Sequence, residues 1–142
     1  MRYVTRAQVH VDRTATAWAI RRFVDPEATF VFVDRHQNVR DLDAIAFDIR
    51  GARLGHRGGR CTFETLLALY ELTGPGLSRM ASIIRGADLP HEDGLPPESP
   101  GVAAIFDGLR DSDLSDPERL EPGFAVCEGL YRYCAAQSLP SA

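Results

Sequence analysis

The segment Gly55, His56, Arg57, Gly58, Gly59, Arg60 runs into Cys61 and Glu64 at the head of an apolar stripe of helical period. Gly58 and Gly59 permit positive φ angles and let a ligand approach the backbone, while the unpaired N–H groups of a helix start attract negative charge. Arg57 and Arg60 add planar cationic forks suited to a carboxylate, a phosphate or another oxyanion. A plain turn is the competing reading, with the glycines serving geometry and the arginines in solvent. Cys61 falls in the first helical turn beside Arg60, where dipole and charge favour a thiolate. With Glu64 it forms the candidate catalytic pair; the alternative for Cys61 is a small buried hydrophobe.

A second chemistry is available to the same region. His56 with the carboxylates Asp48, Glu64 and Asp88 makes a candidate metal set, since imidazole with carboxylates suits zinc, iron or manganese. No pair among them has a diagnostic spacing, and Glu64 can equally serve the start of its own helix. Upstream, Arg13, Trp18, Arg21 and Arg22 are candidate ligand-binding residues. Arg21 and Arg22 follow Trp18 by three and four positions, so one guanidinium can stack on the indole while the other faces a ligand. Asp12 reads as the N-cap of the helix that carries them, and Trp18 as a core residue.

The elements that must hold these residues follow from periodicity. Residues 2–6 and 28–33 have the β-branched, aromatic or apolar content of strands, and the stretch between them has helical spacing at Ala15, Trp18, Ala19 and Arg22 until Asp25 and Pro26 stop it. The strand, helix, strand unit makes its two strands parallel, and residues 44–49 predict a third. Beyond Cys61 four stripes predict four helices: Phe63, Leu66, Leu67, Tyr70; Leu77, Met80, Ala81, Ile84; Val102, Ile105, Phe106, Leu109; and Phe124, Cys127, Leu130, Tyr131, Cys134. The fold class is α+β, a small N-terminal sheet followed by a packed group of about four helices. Residues 90–101, rich in proline and acids, read as an ordered loop or lid.

Composition narrows the function classes. With 142 residues, 44% hydrophobic and 25% charged, the chain suits a single globular domain over 1–142. No apolar run reaches the roughly 20 residues that span a bilayer, and the N-terminus lacks a signal-peptide layout, so the expectation is a cytoplasmic protein without a membrane partner. Three cysteines without C-x-x-C spacing argue against a disulfide framework or a zinc ribbon. All 16 basic side chains are arginine; residues 1–60 hold 11 of them against 7 acids, and residues 61–142 hold 5 against 13. Such a split can mark a pocket or surface for an anion, although a solvated face with internal ion pairs is its commoner cause.

Taken in order, YVTR at residues 3–6, HVDR at 10–13, WAIRRFVDPEA at 18–28, AFDI at 46–49, GHRGGRCTFE at 55–64 and IIRGAD at 83–88 resemble the chromate-resistance ChrB family, in its C-terminal domain. The resemblance is densest through residue 88 and thins beyond it. It implies a cytoplasmic protein of chromate-resistance operons, whose longer members are chromate-responsive regulators with an added N-terminal region. This chain shows neither a basic surface helix nor a pI suited to DNA, so direct DNA binding by the domain alone is not expected. Chromate is a tetrahedral dianion, which suits the arginine-lined turn, and thiols reduce it, which suits Cys61.

Three functional classes result. The first is a module that binds or senses an oxyanion such as chromate through the Arg/Gly-rich helix start. The second is a metal- or thiol-dependent enzyme, redox or hydrolytic, using His56, Cys61, Glu64 and Asp88. The third is a regulatory interaction domain, working as a homodimer or with a separate DNA-binding chain.

Overall fold

Aromatic and β-branched residues at the N-terminus produce strand β1 (Arg2–Arg6), whose middle residues Tyr3, Val4 and Thr5 are all buried. The computed structural model describes residues 1–138. Helix α1 (Val11–Ala19) runs on into a π-helical turn (Ile20–Val24) and ends before Asp25, which is extended as a residue ahead of proline must be. Strand β2 (Thr29–Val33) then pairs parallel with β1, Tyr3 opposite Phe30 and Thr5 opposite Phe32. Strand β3 (Ile45–Ala46) pairs parallel on the other side of β1, so the sheet order is β2-β1-β3. The third strand is shorter than its sequence suggests. Phe47 still donates its amide to the Val4 carbonyl at 3.0 Å but also bridges Leu54, and Asp48 turns into the left-handed region at φ 50, a conformation that aspartate tolerates better than most residues.

Four helices follow, as the stripes require: α2 (Thr62–Leu69), α3 (Pro75–Asp88), α4 (Ser99–Arg110) and α5 (Asp116–Gln137). The class is α+β. Phe47, Phe63, Leu66, Met80, Ile83, Ile84 and Phe106 form the fully covered centre, with α3 packed against every other helix. Tyr70 and Ile105 are exceptions to their stripes and stand in solvent at 41% and 49% exposure; Tyr70 lies just past the last residue of α2, as its C-cap. Cys127 and Cys134 are buried on the inner side of α5, as a core reading expects. Among the described residues no helix is long and apolar enough to cross a membrane.

Helix α4 begins at Ser99, so Pro100 and Gly101, expected in the loop, are in its first turn instead; proline is tolerated there because its missing N–H would be unpaired anyway. The rest of the connection is tied down. Arg85 grips Glu92 with two donors at 3.0 and 2.9 Å, and Glu98 accepts from Arg79 at 2.8 Å and from the Tyr133 hydroxyl at 3.0 Å.

Close helix packing rests on Gly123, where a Cβ would lie 2.6 Å from Thr14 Cγ2 across the α1–α5 contact, whereas Gly129, two turns on, faces open space. Gly123→Ala is therefore expected to destabilise by about 1–3 kcal/mol through overpacking, against a helix-propensity gain of about 1 kcal/mol. Gly129→Ala is expected to stabilise by about 0.5–1 kcal/mol. Melting temperatures moving in opposite directions would bear this out; a rise in both would show that α5 can slide away from Thr14.

The sheet topology decides where a site can form. Strand order reverses at β1, so the crevice beyond the C-terminal ends of β1 and β3 is the topological switch point at which open parallel sheets bind ligands. Asp12 follows β1 and Asp48 follows β3.

Candidate functional site

Asp12 does not cap its own helix. The N-cap of α1 is His10, with no side-chain cap hydrogen bond, and Asp12 is the second residue of the first turn, only 2% exposed. Its carboxylate instead receives the first two amides of α2: Oδ2 accepts from Thr62 N and Oδ1 from Phe63 N, both at 2.9 Å. A carboxylate at this end of a helix is favoured by the macrodipole and by charge-assisted hydrogen bonding. The third donor, Cys61 N, goes to Glu64 Oε1 at 3.1 Å. The helix start expected to hold an external anion thus holds two of the protein's own carboxylates.

Asp48 is fixed from two sides. Thr62 Oγ1 donates to its Oδ1 at 2.7 Å, and Arg13 donates through Nε to its Oδ2 at 3.0 Å and through Nη2 to its carbonyl at 2.9 Å. Arg13 Nη1 donates to the carbonyls of Arg6 and Ala7 at 3.1 and 3.2 Å. The guanidinium is consumed in joining the end of β1 to the end of β3, so Arg13 positions Asp48 rather than offering donors to a ligand.

His56 closes the cluster. Its Nε2 lies 3.0 Å from Asp12 Oδ2, 3.3 Å from Asp88 Oδ2 and 3.9 Å from Asp48 Oδ1, with the ring half exposed. Asp88 is the last residue of α3, and its Oδ2 is buried with no hydrogen-bond partner. Asp12, Asp48 and His56 each offer one ligand atom within 4.8 Å of the others. A cavity of about 370 Å3 opens over Asp48 and His56, lined also by Ile49, Arg50 and Gly51.

The electrostatics are those of carboxylates short of positive charge. The hydrogen bond to Asp12, with the fields of Asp88 and Asp48, raises His56 to about 9 against the opposing effect of burial. Burial first, then the Asp12 charge, raises Asp88 to about 7. The same two causes push Asp48 up. Protons are held where a cation would serve as well.

The model of the ChrB C-terminal domain matches residues 3–134. The chain belongs to that family. Over 133 residues it is 38% identical to Protein ChrB of Cupriavidus metallidurans, an alignment covering 92% of this chain and 40% of that protein. The chain therefore spans less than half the length of the curated relative it matches. No solved structure matches it.

Within this ChrB domain the remaining expected residues fall into three places. Cys61 is fully buried at the start of α2, and burial together with the Asp12 charge pushes its thiol up, so the expected thiolate does not form. The dipole argument fails because desolvation and the adjoining carboxylate outweigh it. Glu64 is engaged by its own helix start and lies 3.8 Å from Arg85, outside the cluster with His56. Gly58 and Gly59, at φ 55 and 77, make the tight turn that pairs Arg57 with Arg60, and Arg57 Nε donates to the Arg53 carbonyl at 2.7 Å. This is the geometric reading of the turn.

Trp18, Arg21 and Arg22 do not join that turn. They lie against α5, where Glu128 Oε1 accepts from Trp18 Nε1 at 3.2 Å and from Arg22 Nε at 3.0 Å, and Arg21 donates to the Ala28 carbonyl at 2.9 Å. Neither guanidinium stacks on the indole; both lie over phenylalanine or tyrosine rings instead. Sequence reasoning missed Asp12 as a member of the cluster. The signal was present in HVDR, an acid beside an arginine directly after a parallel strand, but only the topology gives that position its meaning.

Proposed function

We propose that this ChrB domain is a metal-dependent binding module of chromate resistance in which Asp12, Asp48, His56 and Asp88 hold one divalent transition metal. The observation that carries the reading is Asp88 Oδ2, a buried carboxylate oxygen with no hydrogen-bond partner, facing the imidazole nitrogen that Asp12 and Asp48 also face. Buried polar atoms in native proteins are nearly always satisfied, and an absent ion is one of the standard reasons for an exception. Three carboxylates with one imidazole suit manganese, iron or zinc. Thr62 and Arg13 act as the outer groups that orient Asp48, as partners of metal ligands commonly do.

A bound divalent cation supplies positive charge and Lewis acidity at the switch point. His56 ligates only as neutral imidazole, so loading releases the proton it holds. An oxyanion such as chromate enters this reading at the cation, with Arg50 lining the same cavity, rather than at the amides of α2 that Asp12 already fills. The buried Cys61 does not support a thiol-dependent enzyme.

Metal-stripped protein titrated calorimetrically with Mn2+ and with Zn2+ is expected to bind one ion, with a heat that varies with the ionisation enthalpy of the buffer because a proton leaves. His56→Ala is expected to weaken binding at least tenfold, the usual scale of losing a ligand or its support. Chromate is then expected to bind the metal-loaded protein and not the stripped protein. Absence of heat with both metals overturns the reading.

A further inference from the structure

We propose that the domain has a second ligand site, between the π-helical turn and α5, that takes a small organic monocarboxylate with an apolar body. The site shares no residue with the Asp12 cluster and does not depend on that reading. It begins with a local irregularity. A π-helical turn holds more residues per turn than an α-helix, and single-turn π segments recur at functional sites. Here it sets the consecutive residues Arg21 and Arg22 both beside α5.

Each guanidinium lies over two aromatic rings. Arg21 lies 5.0 Å from the centre of Phe30 and 5.2 Å from Phe124; Arg22 lies 5.1 Å from Phe23 and 5.7 Å from Tyr131. Among the described residues, Arg21 makes one hydrogen bond, from Nη2 to the Ala28 carbonyl, and Arg22 makes one, from Nε to Glu128. Both forks keep free donors. Glu128 is already spent on Trp18, Arg22 and Arg132, and among the described residues Arg21 has no carboxylate hydrogen-bonded to it.

Between these groups lies a cavity of about 340 Å3 lined by Trp18, Arg21, Arg22, Phe124, Ala125 and Glu128. Its size falls within the range of small-molecule pockets, as does its mix of apolar walls and few oriented polar groups. A second cavity of about 520 Å3 shares Arg21 and Phe124 and continues toward Phe32, Leu120 and the acidic Glu121. An inorganic oxyanion would leave these apolar walls in water. A carboxylate attached to a ring or a chain satisfies both, its oxygens on the guanidinium forks and its body on Phe124 and Ala125 at the edge of the buried Trp18.

Trp18 is the one tryptophan of the chain and lines the cavity, so its fluorescence reports occupancy directly. The full chain would be titrated with benzoate and with octanoate, and with benzamide, octanol and sulfate as controls. A saturable change with at least one acid, half-complete below about 1 mM, and none with the controls is expected. Arg21→Gln should raise the half-saturation point at least tenfold. Ala125→Leu, at an exposed position of α5, should abolish the response by filling the cavity without touching either arginine. No saturable change with either acid, an equal response to the neutral analogues, or retained binding in a folded Ala125→Leu protein overturns the proposal.

Discussion

Asp12→Ala is expected to lower the stability of the domain by about 3–4 kcal/mol and its melting temperature by about 10 °C. Asp12 is 2% exposed, and its carboxylate accepts from Thr62 N, Phe63 N and His56. Truncation leaves two backbone donors at the head of α2 without acceptors, in a place that water enters poorly, at roughly 1–3 kcal/mol for each. It also removes the negative charge that answers the helix dipole. Asp12→Asn separates these effects. The amide retains one accepting oxygen, so it should keep one of the two α2 bonds and lose about half as much. His56→Ala, by contrast, leaves both α2 amides capped and removes a half-exposed, water-screened ring, so it should cost less than Asp12→Asn in metal-free protein near neutral pH, and that cost should fade as pH rises through about 9. Urea or thermal unfolding gives the ranking Asp12→Ala below Asp12→Asn below His56→Ala. An Asp12→Ala protein that melts within 2 °C of the wild type would mean that α2 does not depend on this cap, and the site would lose the anchor that aligns Thr62 with Asp48.

The architecture was legible because its signals are local. Short β-branched, aromatic and apolar runs marked the strands, and stripes such as Leu77, Met80, Ala81 and Ile84 marked buried faces that α3 does bury. The glycine pair at Gly58 and Gly59 announced a positive-φ turn, which is what it makes. The site was less legible, since its chemistry depends on partners far apart in the chain. An aspartate ahead of a helical stripe looks like the cap of its own helix, and nothing in HVDR reveals that Asp12 caps a helix 50 residues later. Arg13 looked available for a ligand until Asp48 and two carbonyls used its donors. Cys61 carried a correct dipole argument with the wrong outcome, because its burial and the nearby Asp12 charge act more strongly than the dipole. Spacing offered Arg21 and Arg22 the Trp18 indole; beyond the π-helical turn Arg21 lies over Phe30 and Phe124 instead, and Arg22 over Phe23 and Tyr131.

Asp88→Asn should raise the stability of the metal-free domain at pH 8 while weakening its metal binding at least tenfold. In the fold Asp88 holds its proton up to about pH 7 against an ordinary 3.8, and His56 up to about 9 against 6.5. Both shifts are upward, so both groups bind protons more tightly when folded. The stability linked to Asp88 is complete below about pH 3.8 and is lost as pH rises through about 7; that linked to His56 is complete below about 6.5 and is lost through about 9. Metal-free protein should therefore lose stability steadily between pH 6 and 9. The Asp88 shift corresponds to at most about 4 kcal/mol at 1.36 kcal/mol per unit. An uncharged amide at position 88 avoids that cost, so a gain of about 1–2 kcal/mol at pH 8 is expected, together with no gain at pH 4, where Asp88 is already neutral. Saturating Mn2+ or Zn2+ should invert the order, because ligand binding stabilises only the fold that holds it. Melting curves at pH 4, 6 and 8, with and without metal, test this. If Asp88→Asn instead destabilises the metal-free protein at pH 8, then Asp88 is a paired structural carboxylate, and the observation on which the metal centre rests is removed.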